Sequence, residues 1–229
     1  MIPAYNEEAV IGLVLDELFR LSGQLVLDVL VIDDGSADGT GIVARSKGAK
    51  VVENRKNTGY GAALRLGLLK AAETTAEVIV TMDADGSYSA SDIPRLIQPI
   101  LADQADIVIG SRFLVDQCTR YAKPPLTRRL AIGLVSWLVD KMLNSKLTDP
   151  QSGFRAFRRS VIPSLLDTKE NGPAFLVEST LRLTRSRIVE VPARIRPRIT
   201  RPESYLGIAQ AWNFLGEAKQ IWSLSRPGK

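Results

Sequence analysis

The sequence predicts an α/β fold: a single Rossmann-like domain whose central, mostly parallel sheet is flanked by helices. Short apolar runs alternate along the chain with segments in which apolar residues recur at helical spacing. Glycines separate these segments through the first third of the chain. Two of the apolar runs end in acidic clusters, which is typical of strand ends at the functional edge of a parallel sheet. We therefore expect one domain over residues 1–229.

The apolar runs are interpreted as strands and the periodic segments as helices. Strands are predicted at residues 26–32, 49–53, 78–82 and 106–109. Helices are predicted at residues 40–47 and 61–74, and a third is predicted up to residue 102 with Asp92 as its cap and Pro94 in its first turn. Residues 208–224 form a predicted closing helix. Only two residues precede Pro3 where a buried strand is expected, which favours a chain truncated upstream over a short strand.

Composition excludes several kinds of site. The chain has one cysteine, Cys118, so no internal disulfide can form, and it has no histidine. Nucleophile systems that depend on histidine and zinc sites with histidine ligands are therefore excluded. Carboxylates remain as the expected metal ligands.

Charge divides the chain into two halves. Residues 1–110 carry 9 Lys and Arg against 16 Asp and Glu, whereas residues 111–229 carry 21 against 9. The acidic half predicts a cation site, and the basic half predicts an anionic partner: a phosphate, a membrane headgroup or a nucleic acid. Nucleic acid is disfavoured because aromatic residues make up only 6% of the chain and no recognition motif accompanies the arginines.

The apolar segment at residues 130–139 predicts how the protein meets a membrane. It is too short to cross a bilayer, which takes about 20 residues, and no signal peptide precedes it, so we expect a cytoplasmic protein. Basic residues flank this segment, and Trp137 lies within it. The residues are Arg112, Arg120, Lys123, Arg128 and Arg129. This pattern suits peripheral contact with the cytoplasmic face of a membrane, and a buried core helix is the alternative.

Asp83-Ala84-Asp85 directly follows a predicted strand. Residues i and i+2 of an extended segment share a face, so Asp83 and Asp85 can both approach one divalent ion. Such an ion bridges to a diphosphate and stabilises it as it leaves. A surface turn is the alternative.

Two loops upstream predict a nucleoside site. In Asp33-Asp34-Gly35-Ser36, the carboxylate of Asp34 can accept hydrogen bonds from a base or a ribose, while Asp38 is expected to be structural. Near the N terminus, Tyr5 could stack on a base and Glu7 could accept a hydrogen bond from it. An ordinary strand-to-helix loop explains the second segment equally well.

Taken in order, these residues resemble the inverting family 2 glycosyltransferases, in particular the group around dolichol-phosphate mannose synthase. The matching motifs are Pro3-x-Tyr5-Asn6-Glu7, Ile32-Asp33-Asp34-Gly35-Ser36-x-Asp38-Gly39-Thr40, Asn57-x-Gly59-x-Gly61, Asp83-Ala84-Asp85-Gly86, Asp106-Ile107-Val108-x-Gly110-Ser111-Arg112, Thr148-Asp149-x-x-Ser152-Gly153-Phe154-Arg155 and Val191-Pro192. They span nearly the whole chain, and the set is specific although each motif alone is modest.

The resemblance implies a GT-A fold with a nucleotide-sugar half at residues 1–110 and an acceptor half at residues 111–229. It implies hexose transfer, with inversion, from GDP-mannose or UDP-glucose to a polyprenyl or dolichyl phosphate, with Mg²⁺ or Mn²⁺ as cofactor. A soluble or polysaccharide hydroxyl is the alternative acceptor. Such an acceptor would need a general base, for which Glu178 is the candidate; a surface acid or an arginine partner is the other interpretation of Glu178.

By position, the resemblance also implies individual roles. The residues implied to hold the nucleotide-sugar are Pro3, Tyr5, Glu7, Ile32, Asp34, Ala84, Asp85 and Arg198. Asp83 and Asp85 are implied as metal ligands, and Asp85, Arg112 and Arg198 as catalytic. Two positions depart from the family pattern: Ser87 stands where a glutamine often ligates the metal, and Tyr205 stands where a lysine often binds the diphosphate.

Overall fold

The computed structural model describes residues 1–114, 133, 136–137, 139–141, 146–183 and 185–197. Its first half alternates strands and helices as predicted. The elements there are β1 (Ile2–Ala4), α1 (Glu8–Phe19), β2 (Leu30–Asp33), α2 (Thr40–Ser46), β3 (Lys50–Glu53), α3 (Tyr60–Ala72), β4 (Val78–Thr81), α4 (Ile93–Leu101) and β5 (Ile107–Ser111). The second half adds β6 (Arg155–Arg158), α5 (Ile162–Leu166), α6 (Phe175–Arg182) and β7 (Ile188–Pro192).

The strands form two hydrogen-bonded groups. The first has the order β1-β2-β3, all parallel, with Pro3 opposite Ile32 and Ala4 opposite Asp33. The second has the order β4-β6-β5-β7, in which β7 runs parallel to β5 while β6 is antiparallel to both of its neighbours. The predicted mostly parallel sheet is thus confirmed, with one antiparallel strand that the sequence pattern did not indicate.

Met1 links the two groups of strands. Its backbone nitrogen donates to Val80 O at 2.8 Å, and Met82 N donates to Met1 O at 3.2 Å. One residue bonding in this way to two residues on either side of its partner is the pattern of a parallel pair. The carboxyl ends of β2, β1 and β4 therefore lie side by side along one edge of the sheet.

Helices cover both faces of the sheet. On one face, buried residues of α1 and α4, among them Leu15 and Leu96, pack with Val31 and Val108 of the strands. On the other face, residues of α3, α5 and α6 pack against the alternate strand residues. This second cluster includes Leu64, Leu68, Ile162, Leu165, Phe175, Ile79, Ile107 and Phe157. The alternation along each strand fixes which side chains reach which layer.

One predicted boundary is wrong, and one predicted cap differs in its contacts. The strand predicted at residues 26–32 begins only at Leu30, and Val26 is fully exposed, because β1 and β3 offer just three and four residues for pairing. Asp92 occupies the N-cap position of α4 as predicted, with Pro94 in the first turn, but its carboxylate makes no capping bond. It accepts instead from the backbone nitrogen and Nε of Arg194, both at 2.8 Å, because that cation neutralises a carboxylate that is only 2% exposed.

Several predictions fall outside the described residues: the closing helix at residues 208–224, Arg198, Tyr205, Cys118, and the basic residues Arg120, Lys123, Arg128 and Arg129. Among the described residues no helix is both long and apolar enough to span a membrane. Residues 133, 136–137 and 139–141 are helical. The extent of the single domain and its division at residue 110 stay predictions.

Candidate active site

The predicted site residues of the first half converge on one edge of the sheet. Asp34 follows β2, Tyr5 and Glu7 follow β1, and Asp83 and Asp85 follow β4. Because these three strands are neighbours, residues that are far apart in the sequence meet at their carboxyl ends. This is the edge at which open α/β sheets bind ligands.

The two aspartates after β4 are held in different ways. Asp85 is 5% exposed, and its Oδ1 accepts a hydrogen bond of 2.9 Å from the backbone nitrogen of Ser87. Asp83 is half-buried, and its Oδ1 accepts a hydrogen bond of 2.7 Å from Tyr60 Oη. Burial and the adjacent Asp83 carboxylate raise the pKa of Tyr60, so the phenol stays protonated and donates. Sequence reasoning missed Tyr60 because no pattern links the start of α3 to this carboxylate.

The two carboxylates at this strand end fit a divalent ion that is shared with a substrate. Within the described parts of the chain, no group of three or more His, Cys, Asp or Glu side chains is placed to hold a metal. From the described residues, Asp83 and Asp85 would serve as ligands, and diphosphate oxygens and water would complete the coordination. Mg²⁺ is commonly bound in this way, through one or two carboxylates and substrate phosphates.

Asp34 organises the loop between β3 and α3. Its carboxylate, 3% exposed, accepts from Asn54 Nδ2 at 2.8 Å, from the backbone and hydroxyl of Thr58 at 3.0 and 2.6 Å, and from Gly59 N at 2.9 Å. A carboxylate has about four acceptor sites, so these bonds occupy its capacity. The expected contact of Asp34 with a nucleoside stays a prediction, and the structure adds a structural role.

The loops after β1 and β2 are bonded to each other. Asn6 N donates to Ser36 Oγ at 2.9 Å, and Ala37 N donates to Asn6 Oδ1 at 2.8 Å. Asp38 accepts from Thr40 N at 3.0 Å and from Glu8 N at 3.2 Å, which confirms its expected structural role. The two loops therefore form one rigid wall of the site.

The remaining nucleoside candidates differ in exposure. Tyr5, in the loop after β1, is 40% exposed. Pro3, Ile32 and Ala84 are buried, and Ile32 packs beneath α3, where a Cβ on Gly67 would lie 3.1 Å from Ile32 Cγ1. The implied roles of all four residues in nucleotide-sugar binding stay predictions.

Arg112, at the end of β5, forms a buried ion pair. Its Nε and Nη2 each lie 2.7 Å from an oxygen of Asp149, and the two side chains are 8% and 0% exposed. Burial alone would lower the pKa of Arg112, but neighbouring groups, Asp149 among them, raise it above its ordinary value. Asp149 thus engages two of the three guanidinium nitrogens. The expected contact with a phosphate stays a prediction, in which Nη1 would be the donor.

Arg155 lies beneath the same region, fully buried on β6. It donates to the carbonyl oxygens of Ser152 at 2.7 Å and Pro150 at 2.5 Å, and to Leu176 O at 2.9 Å on α6. Burial lowers its pKa to about 10, so it remains charged at neutral pH. Sequence reasoning missed its burial, because charged residues are rarely buried and no local pattern signals the exception.

Glu178, the candidate general base, is structural. It is 4% exposed on α6, and its carboxylate accepts from the backbone nitrogens of Lys169 and Glu170, each at 3.0 Å, and from Arg182 Nε at 2.8 Å. The interpretation as an arginine partner is confirmed. These contacts do not support the role of general base, which stays a prediction.

Solved structures with the same architecture include glucosyl-3-phosphoglycerate synthase from Mycobacterium tuberculosis. Its complex with Mn²⁺, UDP and glucosyl-3-phosphoglycerate aligns with a TM-score of 0.77 at 25% identity, covering 100% of this chain and 80% of that one. Its complex with phosphoglyceric acid aligns with a TM-score of 0.75 at 26% identity and with the same coverage of both chains. The GT-A fold implied by the sequence resemblance is confirmed.

Among similar sequences is an undecaprenyl-phosphate mannosyltransferase of Micrococcus luteus, which is 35% identical over 95% of this chain and 89% of its own length. A polyprenol monophosphomannose synthase of Mycolicibacterium smegmatis is 31% identical over 92% of this chain and 79% of its own length. An uncharacterized protein of Methanocaldococcus jannaschii is 34% identical over 69% of this chain, which spans 63% of that protein. The model of glycosyl transferase family 2 matches residues 1–166. The chain belongs to glycosyl transferase family 2.

Proposed function

We propose that this protein transfers a hexose, mannose or glucose, from a nucleotide-sugar to a polyprenyl phosphate such as dolichyl phosphate, with inversion at the anomeric carbon. The observation that carries this proposal is the position of Asp83 and Asp85 at the carboxyl end of β4, beside the ends of β1 and β2. The names of the Micrococcus and Mycolicibacterium relatives, which match over most of this chain, support the acceptor class.

On the donor side, the loops after β1 and β2 would hold the nucleoside, with Tyr5 stacking on the base and Glu7 accepting from it. Ala84 and Asp85 would lie against the diphosphate, and Arg198 would bind its phosphates. Asp83 and Asp85 would hold Mg²⁺ or Mn²⁺, which when bound neutralises charge on the departing diphosphate. The complexes of the structural neighbours with Mn²⁺ and UDP support a divalent ion, and the donor itself, GDP-mannose or UDP-glucose, remains part of the proposal.

On the acceptor side, a phosphate monoester needs no general base because it is already anionic at neutral pH. This agrees with the contacts of the candidate base Glu178, which is bonded to the backbone and to Arg182. Arg112 would steer the acceptor phosphate through Nη1 while Asp149 holds the other two guanidinium nitrogens in place. A fixed guanidinium is a suitable phosphate partner because its orientation costs no further entropy.

The helical residues 136–137 and 139–141 support contact with a membrane surface. Trp137 is 55% exposed, and Lys141 Nζ lies 5.8 Å from the centre of its ring. On the same segment Ser136 and Val139 are buried, so the tryptophan points away from the core. A tryptophan with an adjacent lysine suits the headgroup layer, in which the acceptor's phosphate would sit at the cytoplasmic face.

A second candidate function is transfer to a soluble phosphorylated acceptor. It is favoured by one observation: the structural neighbours are synthases crystallised with phosphoglyceric acid. Their sequence identity of 25–26% is lower than that of the polyprenyl-phosphate relatives, so we rank this candidate second.

One assay separates the two candidates. The protein is incubated with Mn²⁺ and radiolabelled GDP-mannose or UDP-glucose, together with either undecaprenyl phosphate in detergent or 3-phosphoglyceric acid, and the mixture is extracted with organic solvent. We expect label in the organic phase only when the polyprenyl phosphate is present. A labelled aqueous product that forms only with phosphoglyceric acid would establish the second candidate. Label remaining in the donor under every condition would contradict both.

A further inference from the structure

The phenol of Tyr60 meets the carboxylate of Asp83 in a closely packed corner. Tyr60 Oη lies 2.7 Å from Asp83 Oδ1, and both atoms lie against Gly153. A Cβ at position 153 would stand 2.7 Å from Asp83 Oδ1 and would also overlap Tyr60 Oη. There is thus no space for either group to move toward the loop before β6, and the hydrogen bond fixes one orientation of the carboxylate.

The backbone on both sides of Tyr60 is held by different parts of the chain. Gly59 N donates to Asp34 Oδ2 at 2.9 Å, and Gly61 N donates to Asn171 O at 2.7 Å. Gly59 has a φ of 101°, a conformation that favours glycine, and a Cβ there would overlap Asn171 O. The backbone of Tyr60 is therefore held on both sides by hydrogen bonds to distant parts of the chain, which fixes where the phenol can reach.

We propose that Tyr60 is a positioning residue that orients the carboxylate of Asp83 for a divalent cation. The inference rests on the proposed function, in which Asp83 is a metal ligand. A carboxylate that ligates a metal loses rotational freedom on binding, and a hydrogen bond from the surrounding protein removes that freedom in advance. Because Asp34 holds Gly59, the same arrangement connects the loop after β2 to Asp83.

A merely structural role makes a different prediction. If the phenol only satisfies a half-buried carboxylate, its removal lowers the free energy of unfolding and leaves metal affinity unchanged. If it orients a ligand, its removal weakens metal binding. Metal affinity and thermal stability must therefore be measured on the same variants.

The test uses Tyr60→Phe, which keeps the ring and removes the hydroxyl, with Tyr88→Phe as the matched control. Tyr88 is also buried, but its Oη bonds to Ser152 Oγ at 3.1 Å. Mn²⁺ is titrated into each protein in the presence of UDP and, separately, GDP, and free Mn²⁺ is followed by electron paramagnetic resonance. We expect Mn²⁺ to bind Tyr60→Phe about tenfold more weakly than wild type, and Tyr88→Phe to stay within about twofold.

Three outcomes overturn the inference. Wild-type affinity in Tyr60→Phe with both nucleotides, whether or not its melting temperature falls, would leave the phenol structural and the proposed function intact. An equal loss in Tyr88→Phe would show a general effect of buried hydroxyls. Absence of Mn²⁺ binding by the wild-type protein would overturn the metal assignment and this inference together. As a second variant, Gly153→Ala should weaken Mn²⁺ binding by more than about tenfold, because its methyl group displaces both partners.

Discussion

The guanidinium of Arg112 binds the carboxylate of Asp149 through two nitrogens, joining the end of β5 to the loop before β6. The two contacts are 2.7 Å each, and the backbone nitrogen of Arg112 adds a third at 3.0 Å. On the far side of the loop, Glu190 of β7 accepts from the backbone nitrogens of Thr148 and Asp149 at 2.7 and 2.8 Å. The loop before β6 is therefore held by a buried ion pair within a hydrogen-bonded frame.

Removing one partner of this pair should be costly. In Asp149→Asn, Arg112 keeps its charge in a buried position without a carboxylate, and the free energy of unfolding should fall by about 3–5 kcal/mol. Urea denaturation measures the change. The control is Asp28→Asn, whose pair with Lys50 is 64% and 68% exposed and should contribute less than about 1 kcal/mol. An equal loss of unfolding free energy in the two variants would mean that the buried pair contributes no more to stability than the exposed pair.

Arg155→Lys tests whether the shape of the guanidinium matters for the loop before β6. Arg155 bonds to Ser152 O and Pro150 O on one side and to Leu176 O on the other. A lysine carries its donors on one atom and cannot reach both sides, so we expect a loss of about 2–4 kcal/mol in thermal or urea denaturation. The exposed Arg45, paired with Glu53, provides the control: Arg45→Lys should leave the free energy of unfolding essentially unchanged, because an exposed ion pair is screened by solvent. A loss in Arg155→Lys no larger than in this control would contradict the expectation.

Glu178→Gln distinguishes a structural carboxylate from a general base. The substitution weakens the bonds to Lys169 N and Arg182 Nε, so we expect a loss of about 1–3 kcal/mol in the free energy of unfolding. The pH–rate profile of transfer should keep its wild-type shape, because no proton passes through this group. A fall in kcat of about a hundredfold with unchanged stability would restore Glu178 as a base.

Asp106 predicts an acid dependence of stability. The hydrogen bond from Arg187 lowers the pKa of Asp106 from 3.8 to about 2. Between these values the unfolded chain binds the proton and the folded chain does not, so lowering the pH favours unfolding. The stability advantage of wild type over Asp106→Asn should be complete above about pH 4 and should disappear as the pH falls through about 2. Denaturant titrations on both proteins across this range measure it, and a pH-independent difference would contradict the assignment.

The first half of the fold could be predicted because its signals are local. The strand that ends before Asp83 appears as a continuous apolar run, and α3 shows helical spacing, so both elements and the acidic strand ends were found. The second half carries weaker signals. β6 (Arg155–Arg158) begins and ends with arginine, and its antiparallel placement between β4 and β5 depends on pairing with residues that are distant in the sequence. No local pattern encodes that pairing.

The site was predicted as a set of residues but not as a set of contacts. The position of Asp34 at a strand end follows from the sequence, whereas its bonds to Thr58 and Gly59 follow from how the loop after β3 folds back. The proposed roles of Tyr60 and Gly153 follow from their contacts with Asp83, which the sequence pattern does not indicate. Side-chain contacts between distant loops depend on the tertiary structure, which periodicity does not describe.

The central claim is that carboxylates at the end of β4 bind a cation that neutralises a nucleoside diphosphate. Isothermal titration calorimetry of UDP and GDP, with and without Mn²⁺, tests it in wild type, in Asp85→Asn and in the control Asp38→Asn. The amide that replaces the Asp85 carboxylate can still accept from Ser87 N, so the loop should be preserved. We predict that Mn²⁺ strengthens nucleotide binding at least about tenfold, or about 1.4 kcal/mol, in wild type and in Asp38→Asn, and has no effect in Asp85→Asn. An equal strengthening by Mn²⁺ in all three proteins would contradict the account.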